Sequence, residues 1–196
     1  MQNLINQLKK LKKGGIQRLV KARIREFRSK KSDDELFSEL CFCIMTAGFR
    51  ADKSIEIQKK IGKGFLTLSE QRLRKKLKKL GYRYHNRAAY IVLNRKYAHE
   101  LKNKGREWLV RHIKGLGMKE ASHFLRNIGK KNIAIIDFHI IDILAKYKLI
   151  KKPKTLTKTK YLEIEKILEK LAKQAFLSLD ELDLYLWYLE TGKILK

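Results

Sequence analysis

Lysine is commonplace in this chain, which carries 47 Lys and Arg against 20 Asp and Glu, but Lys119 stands in an unusual place. It lies in HIKGLGMKEASHFLRNIG, residues 112–129, two positions after the second glycine of a Gly-Leu-Gly step. From Met118 onward apolar residues recur every three or four positions (Met118, Ala121, Leu125, Ile128), which predicts a helix stopped by Gly129. Lys119 then falls in the first turn, where the positive end of the helix dipole disfavours a cation and favours the neutral, nucleophilic amine. Asp137, eighteen residues further on, closes the apolar run IAII and precedes FHIIDILAKYK. An aspartate there is an N-cap in the first instance. Behind such a run it is also partly desolvated, and so placed to stabilise a developing positive charge, as cleavage of a glycosidic bond requires.

Gly115 and Gly117 flank Leu116, between a short helix ending near Lys114 and the helix from Met118. The pattern predicts a helix–hairpin–helix over 112–129, with glycine allowing the tight turn. The unpaired amides around Gly115, Gly117 and Lys119 suit a phosphate, and such a contact grips nucleic acid without reading its sequence. Spacing alone leaves two readings open for each residue. Lys119 is a nucleophile or one more surface lysine, and Asp137 is a catalytic carboxylate or a cap.

The elements around these residues read as all-α. There is a single proline, Pro153, and the glycines fall between apolar-periodic segments. A helix capped by Ser32 or Asp33 runs through DELFSELCFCIMTA, and its apolar residues nearly encircle it, which predicts a central helix. Further helices are expected near 52–61, 69–80 (capped by Ser69 and stopped by Gly81), 84–103, 106–113, 138–148, 158–176 and 179–190. NIAIID, 132–137, reads as extended, and KKPKTLTK, 151–158, as a loop that does not separate domains.

A formal net charge of +27 favours a polyanionic partner, nucleic acid before membrane. A lysine-rich surface set by growth temperature is the alternative, but that habit adds glutamate too, and here glutamate does not keep pace. No apolar run is long enough to span a bilayer, and MQNLINQLKKLKKGG is not a secretory signal. Cys41 and Cys43, the only cysteines, are expected as buried helix residues in a reducing cytoplasm.

IKGLGMKEASHFLRNIG followed by AIIDFHI resembles the helix–hairpin–helix Gly/Pro-Asp signature of base-excision DNA glycosylases. Within them it is most similar to the archaeal-type second family of 8-oxoguanine DNA glycosylase/AP lyases, and ELCFCIMTA, GFLTL, KYLEIEKIL and LDLYLWYLETGKILK extend the likeness over most of the chain. The resemblance implies a two-lobed all-α fold, with residues 1–31 plus 133–196 as one lobe and 32–132 as the other, and DNA in a cleft between them. It also implies that Lys119 attacks C1′ of the damaged nucleoside, forms a Schiff base and cuts the strand by β-elimination, with Asp137 supporting the transition state. The damaged base is flipped out of the duplex. Trp187 and the terminal carboxylate of Lys196 would meet it, with Tyr84 and His123 as further contacts. Backbone carbonyls of Arg111, Ile113 and Leu116 match a site for a monovalent cation. No other cofactor is expected, and two cysteines cannot hold the four-cysteine iron–sulfur cluster of endonuclease III-like relatives. The chain departs from the pattern after IMTA, where relatives carry Asn or Gln and this sequence has Gly48, so filling the gap in the duplex falls to Phe49 or Arg50.

The expectation is therefore a monomeric, cytoplasmic, nucleoid-associated enzyme acting on double-stranded DNA that contains 8-oxoguanine. Two alternatives stay open: the same chemistry on oxidised pyrimidines, and a non-catalytic hairpin module that binds DNA through charge alone.

Overall fold

The computed structural model describes residues 1–196 and consists of twelve α-helices, two 3-10 turns and no strand. The chain divides into two compact units, Met1–Ser29 with Gly129–Lys196, and Lys30–Ile128.

The first unit opens with α1 (Gln2–Lys13) and α2 (Ile16–Arg28). Residues 1–31 were expected only as part of a lobe, yet both helices show in the spacing: Leu4, Ile5 and Leu8 in one, Val20, Ile24 and Phe27 in the other, are their buried faces. Gly14 and Gly15 separate them.

The second unit is built on α3 (Asp33–Thr46). Ser32 caps it through a reciprocal box, its hydroxyl accepting from the Glu35 amide while the Glu35 carboxylate accepts from the Ser32 amide. Leu40 to Met45 are wholly buried, each large apolar side chain contributing roughly 1.5–3 kcal/mol. Around it pack α4 (Ala51–Ile61), the single turn α5 (Gly64–Thr67), α7 (Arg87–Asn94) and α9 (Met118–Asn127), with α6 (Glu70–Lys79) on α7 and α8 (Arg106–His112) on α9. Buried Glu39 of α3 accepts from Asn127 Nδ2 at 2.9 Å and Gln58 Nε2 at 3.1 Å, tying α9 and α4 to the central helix. Cys41 and Cys43 lie on this helix, and burial pushes the Cys41 thiol well above its usual range.

The helix expected over 84–103 is shorter. It ends at Asn94, and 3-10 turns follow at Arg95–Tyr97 and Leu101–Asn103. Tertiary bonds take precedence over helical continuation there: Arg95 donates to the carbonyls of Phe65 and Leu68 at 2.8 and 2.6 Å, and Asn94 turns to the hairpin.

The chain returns to the first unit through an extended segment with no neighbouring strand, then α10 (Phe138–Lys146), α11 (Lys158–Ala175) and α12 (Leu179–Thr191). α12 packs on α2 and α10, and α11 on α1. Arg28 reaches the buried Asp180 carboxylate at 2.8 Å, joining α2 to α12. No helix is long and apolar enough to cross a membrane.

Candidate active site

Residues 113–117 form the turn between α8 and α9. Gly115 has φ +93°, a conformation that side chains rarely adopt, and a Cβ there would stand 2.8 Å from Cδ2 of Tyr90. Both the turn and the close approach of the Tyr90 ring therefore require glycine. Asn94, 1% exposed, holds the strand leading into the turn by two bonds: its Nδ2 donates to the Lys114 carbonyl at 2.9 Å, and its Oδ1 accepts from the Lys114 amide at 3.0 Å.

Gly117 is the N-cap of α9 and offers no side chain to its first amides. The Gly117 amide itself donates to Glu120 Oε2 at 3.2 Å. Lys119 is the second residue of the helix, its side chain 24% exposed, and the carboxylate beside it is Glu120 Oε1 at 3.8 Å. The structure thus presents a glycine-capped helix start with a half-buried amine in its first turn. Gly115, Leu116, Gly117 and Lys119 come together here as the spacing predicts. Ile113 and Leu116 are buried, and the Ile113 carbonyl receives only a long 3.3 Å bond from the Leu116 amide, so it keeps capacity for another partner. Arg111 lies in the last turn of α8, where carbonyls lack a continuing helix.

Asp137 belongs to the other unit. It is half-buried and is the N-cap of α10, its Oδ1 accepting from the Ile140 amide at 3.0 Å and its second oxygen having no protein partner. Ala134, Ile135 and Ile136 before it are buried. The edge of Trp187, from α12, meets the ring of His139 at 4.8 Å and 82°, two residues beyond Asp137. The Trp187 Nε1 is buried and donates to nothing in the protein. Lys196 is half-buried at the end of the tail that follows Gly192. These three expected site residues thus share one unit.

The expected gap-filling residues lie in the second unit beside Tyr84. Gly48 has φ +72°, and a Cβ there would come within 3.3 Å of the Tyr84 hydroxyl oxygen, so neither Asn nor Gln would sit there without strain. Phe49 is half-buried and edge-on to Tyr82 at 4.7 Å, with Tyr84 on the same ring at 6.1 Å. Tyr82 is buried, donates to the Met45 carbonyl at 3.0 Å, and has its hydroxyl pushed up to about 12 by that burial. Arg50 is exposed but paired with Asp52 through Nε and Nη2 at 3.1 and 2.5 Å, which raises its already high basicity. His123, which could reach the base but reads more simply as a packed helix histidine, is 6% exposed and packs edge-on against Phe42 at 5.4 Å, between α9 and α3.

Sequence reasoning did not find Asn94, Tyr90 or Tyr161. Their roles depend on contacts with distant backbone, and no local spacing marks them. No group of three or more His, Cys, Asp or Glu side chains lies close enough together to hold a metal ion.

Comparison with known proteins gives a consistent picture. Residues 20–177 match the family model for 8-oxoguanine DNA glycosylase. An 8-oxoguanine DNA glycosylase/AP lyase of Methanocaldococcus jannaschii is 51% identical, with 98% of this chain and 99% of the relative covered. Its counterpart in Korarchaeum cryptofilum is 48% identical over 99% and 98%. The crystal structure of the M. jannaschii 8-oxoguanine glycosylase/lyase with a 15-mer DNA containing 8-oxoguanine matches with a TM-score of 0.95 at 50% identity, covering 98% of this chain and 99% of that one. The 8-oxoguanine DNA glycosylase of Thermotoga maritima matches with a TM-score of 0.94 at 42% identity, covering 100% of this chain and 99% of that one.

Proposed function

The chain belongs to the 8-oxoguanine DNA glycosylase/AP lyase family, and from that premise we infer that it excises 8-oxoguanine from DNA and cleaves the resulting abasic site. The reading of the individual residues rests on one observation: a half-buried lysine in the first turn of a helix whose cap is glycine.

Lys119 Nζ, as the neutral amine, attacks C1′ of the damaged nucleoside. The N–C1′ bond forms, the C1′–N9 bond breaks, and the departing base takes up a proton. Loss of a proton from nitrogen with opening of the sugar ring gives a Schiff base. Removal of a C2′ proton then expels the 3′ phosphate, cutting the strand. Asp137 keeps one oxygen on the Ile140 amide and has the other available for positive charge developing on the sugar.

Hairpin amides at Gly115 and Lys119, with that of Gly117 once the phosphate displaces Glu120 Oε2 from it, hold a backbone phosphate, and the spare capacity of the Ile113 carbonyl, with those of Arg111 and Leu116, suits a monovalent cation. Trp187 stacks on the flipped base, with its buried Nε1 as a donor and Lys196 of the same unit as a further contact, and Tyr84 offers the DNA another aromatic ring. Phe49 enters the gap in the duplex, because Arg50 is already engaged by Asp52. The protein acts as a monomer in the cytoplasm, at the nucleoid, and needs no redox or metal cofactor.

Borohydride trapping on a duplex with one 8-oxoguanine opposite cytosine tests this reading. A covalent adduct is expected with the wild type and none with Lys119→Gln, whose excision falls by more than about 10³-fold while DNA binding persists. An adduct formed equally by Lys119→Gln would remove Lys119 from the mechanism. An adduct only on an oxidised-pyrimidine duplex would change the substrate.

A further inference from the structure

Asp137 can act only if its carboxylate is held at one place, yet nothing helical holds the chain before it. Residues 130–136 form no regular element, and Asn132 takes φ +61°. An extended run this buried must have its backbone groups paired, and no neighbouring strand is there to pair them. The partners come from α11. The Tyr161 hydroxyl, in a residue 1% exposed, donates to the Ala134 carbonyl at 2.8 Å and accepts from the Ile136 amide at 3.1 Å. The buried Glu165, one turn further along the same helix, accepts from the Ala134 amide at 3.0 Å.

One hydroxyl thus occupies the place of a missing strand, closing on both polar groups that point its way. The second of them, the Ile136 amide, lies in the peptide one before that of Asp137. Packing alone would be served by phenylalanine at 161. A tyrosine here fixes the two peptides that lead into Ile136, the residue before Asp137, and Glu165 fixes the peptide before those.

We propose that Tyr161, seconded by Glu165, is a positioning residue for Asp137: it sets the carboxylate for base excision without touching the DNA. The proposal rests on the catalytic reading of Asp137 given above. Tyr161→Phe leaves the ring in place and removes both bonds. Excision of 8-oxoguanine in a single turnover should slow by about tenfold, within the roughly 10²-fold that a 1 Å misplacement can cost. DNA affinity should stay within about twofold, since hairpin and charge are untouched.

A role in folding alone would also follow from these bonds, so the decisive measurement is a double-mutant cycle. Excision is followed over hours for wild type, Tyr161→Phe, Asp137→Asn and the double variant. If Tyr161 acts through Asp137, its substitution should change the Asp137→Asn rate by less than about twofold, because the group being positioned is already gone. The same tenfold loss on both backgrounds would overturn the proposal, as would full-rate excision by Tyr161→Phe. Leu171→Val, a wholly buried truncation on the same helix, is the control: it should lower the melting temperature and leave excision unchanged. If Leu171→Val slowed excision as Tyr161→Phe does, stability alone would account for the loss. Glu165→Gln keeps an oxygen for the Ala134 amide and replaces the carboxylate by a neutral amide. It should give a loss of about two- to threefold, again absent without Asp137, and this pattern decides the matter should Tyr161→Phe fail to fold. Asp137→Asn excising at the wild-type rate would instead strike the catalytic reading of Asp137, a separate failure.

Discussion

The two places to which we assign the chemistry meet the same structural problem in opposite ways. In each, irregular backbone runs into the first turn of a helix, and a side chain elsewhere in the unit pins that backbone. The hairpin before α9 is pinned at Lys114 by Asn94, and the segment before α10 at 134–136 by Tyr161 and Glu165. The helix starts themselves differ. α9 begins at Gly117, which has no side chain to give its amides, whereas α10 begins at Asp137, which satisfies its own third amide. An uncapped start is a place for an anion from outside; a self-capped start brings its own anion. On the proposed reading, one helix end receives a phosphate and the other presents a carboxylate.

The largest effect expected from breaking this comparison comes from replacing the carboxylate while keeping the cap. Asp137→Ser retains a hydroxyl for the Ile140 amide, so stability should stay within about 0.5 kcal/mol. Excision should nevertheless fall by roughly 10²-fold or more, because a hydroxyl carries no charge to set against the developing cation. Thermal unfolding beside single-turnover excision separates the two, and a full-rate serine variant would reduce Asp137 to a cap. The converse change makes α9 resemble α10. Gly117 has φ −99°, which any residue adopts, and a Cβ there would stand 3.3 Å from Glu120 Oε2, so Gly117→Asp would put its own carboxylate over the first amides in place of that of Glu120. The fold should be as stable as before, or more so by about 1 kcal/mol, while the Kd for DNA rises about tenfold through competition and repulsion at the phosphate site. Unchanged affinity in a fluorescence titration would show that these amides hold no phosphate.

The difference between the two regions also explains what the sequence made legible. Glycine at 115 and 117, a lysine two positions on and an aspartate behind an apolar run are local signals, and the helix starts fell where they predicted. So did the capped starts at Ser32 and Ser69, whose hydroxyls accept from the amides three residues ahead. The pinning residues gave no such signal. Asn94 reads as one more residue of a helix expected to continue to 103, because its partner is twenty residues away. Tyr161 reads as an apolar position of α11, which it is, and only the extended backbone laid against it gives its hydroxyl a purpose. His123 left two readings open for a related reason: its position four residues after Lys119 allows a shared face, and only the fold shows that it packs against Phe42 of α3. Spacing reports which residues share a helix face and says nothing of what the rest of the fold puts against it.

Asn94→Ala tests the pin on the hairpin side and should cost less in function than either change at a helix start. It removes two part-buried bonds from the Lys114 amide and carbonyl, a loss of about 0.5–1.5 kcal/mol each in stability. DNA affinity should weaken about three- to fivefold as the amides lose their fixed aim, while the rate at saturating DNA changes by less than about twofold. A fall in that rate with affinity intact would mean that Asn94 serves Lys119 rather than the phosphate contact.

The smallest effect belongs to a third helix start, the Ser32–Glu35 box of α3, where a carboxylate closes a helix end with no chemistry attached. Bonds from the Ser32 amide and then its hydroxyl hold the Glu35 carboxyl below its usual range. The stability gained is therefore complete above the ordinary glutamate range and is lost as pH falls through the lowered value. Glu35→Gln cannot titrate, so the difference in melting temperature between it and the wild type should shrink from about pH 6 to about pH 3. Excision near neutral pH should be the same in both, since this box feeds neither the hairpin nor the Asp137 segment. A difference in excision would mean that α3, on which α9 packs, transmits its own capping to Lys119, and the two chemical helix starts would no longer be local devices.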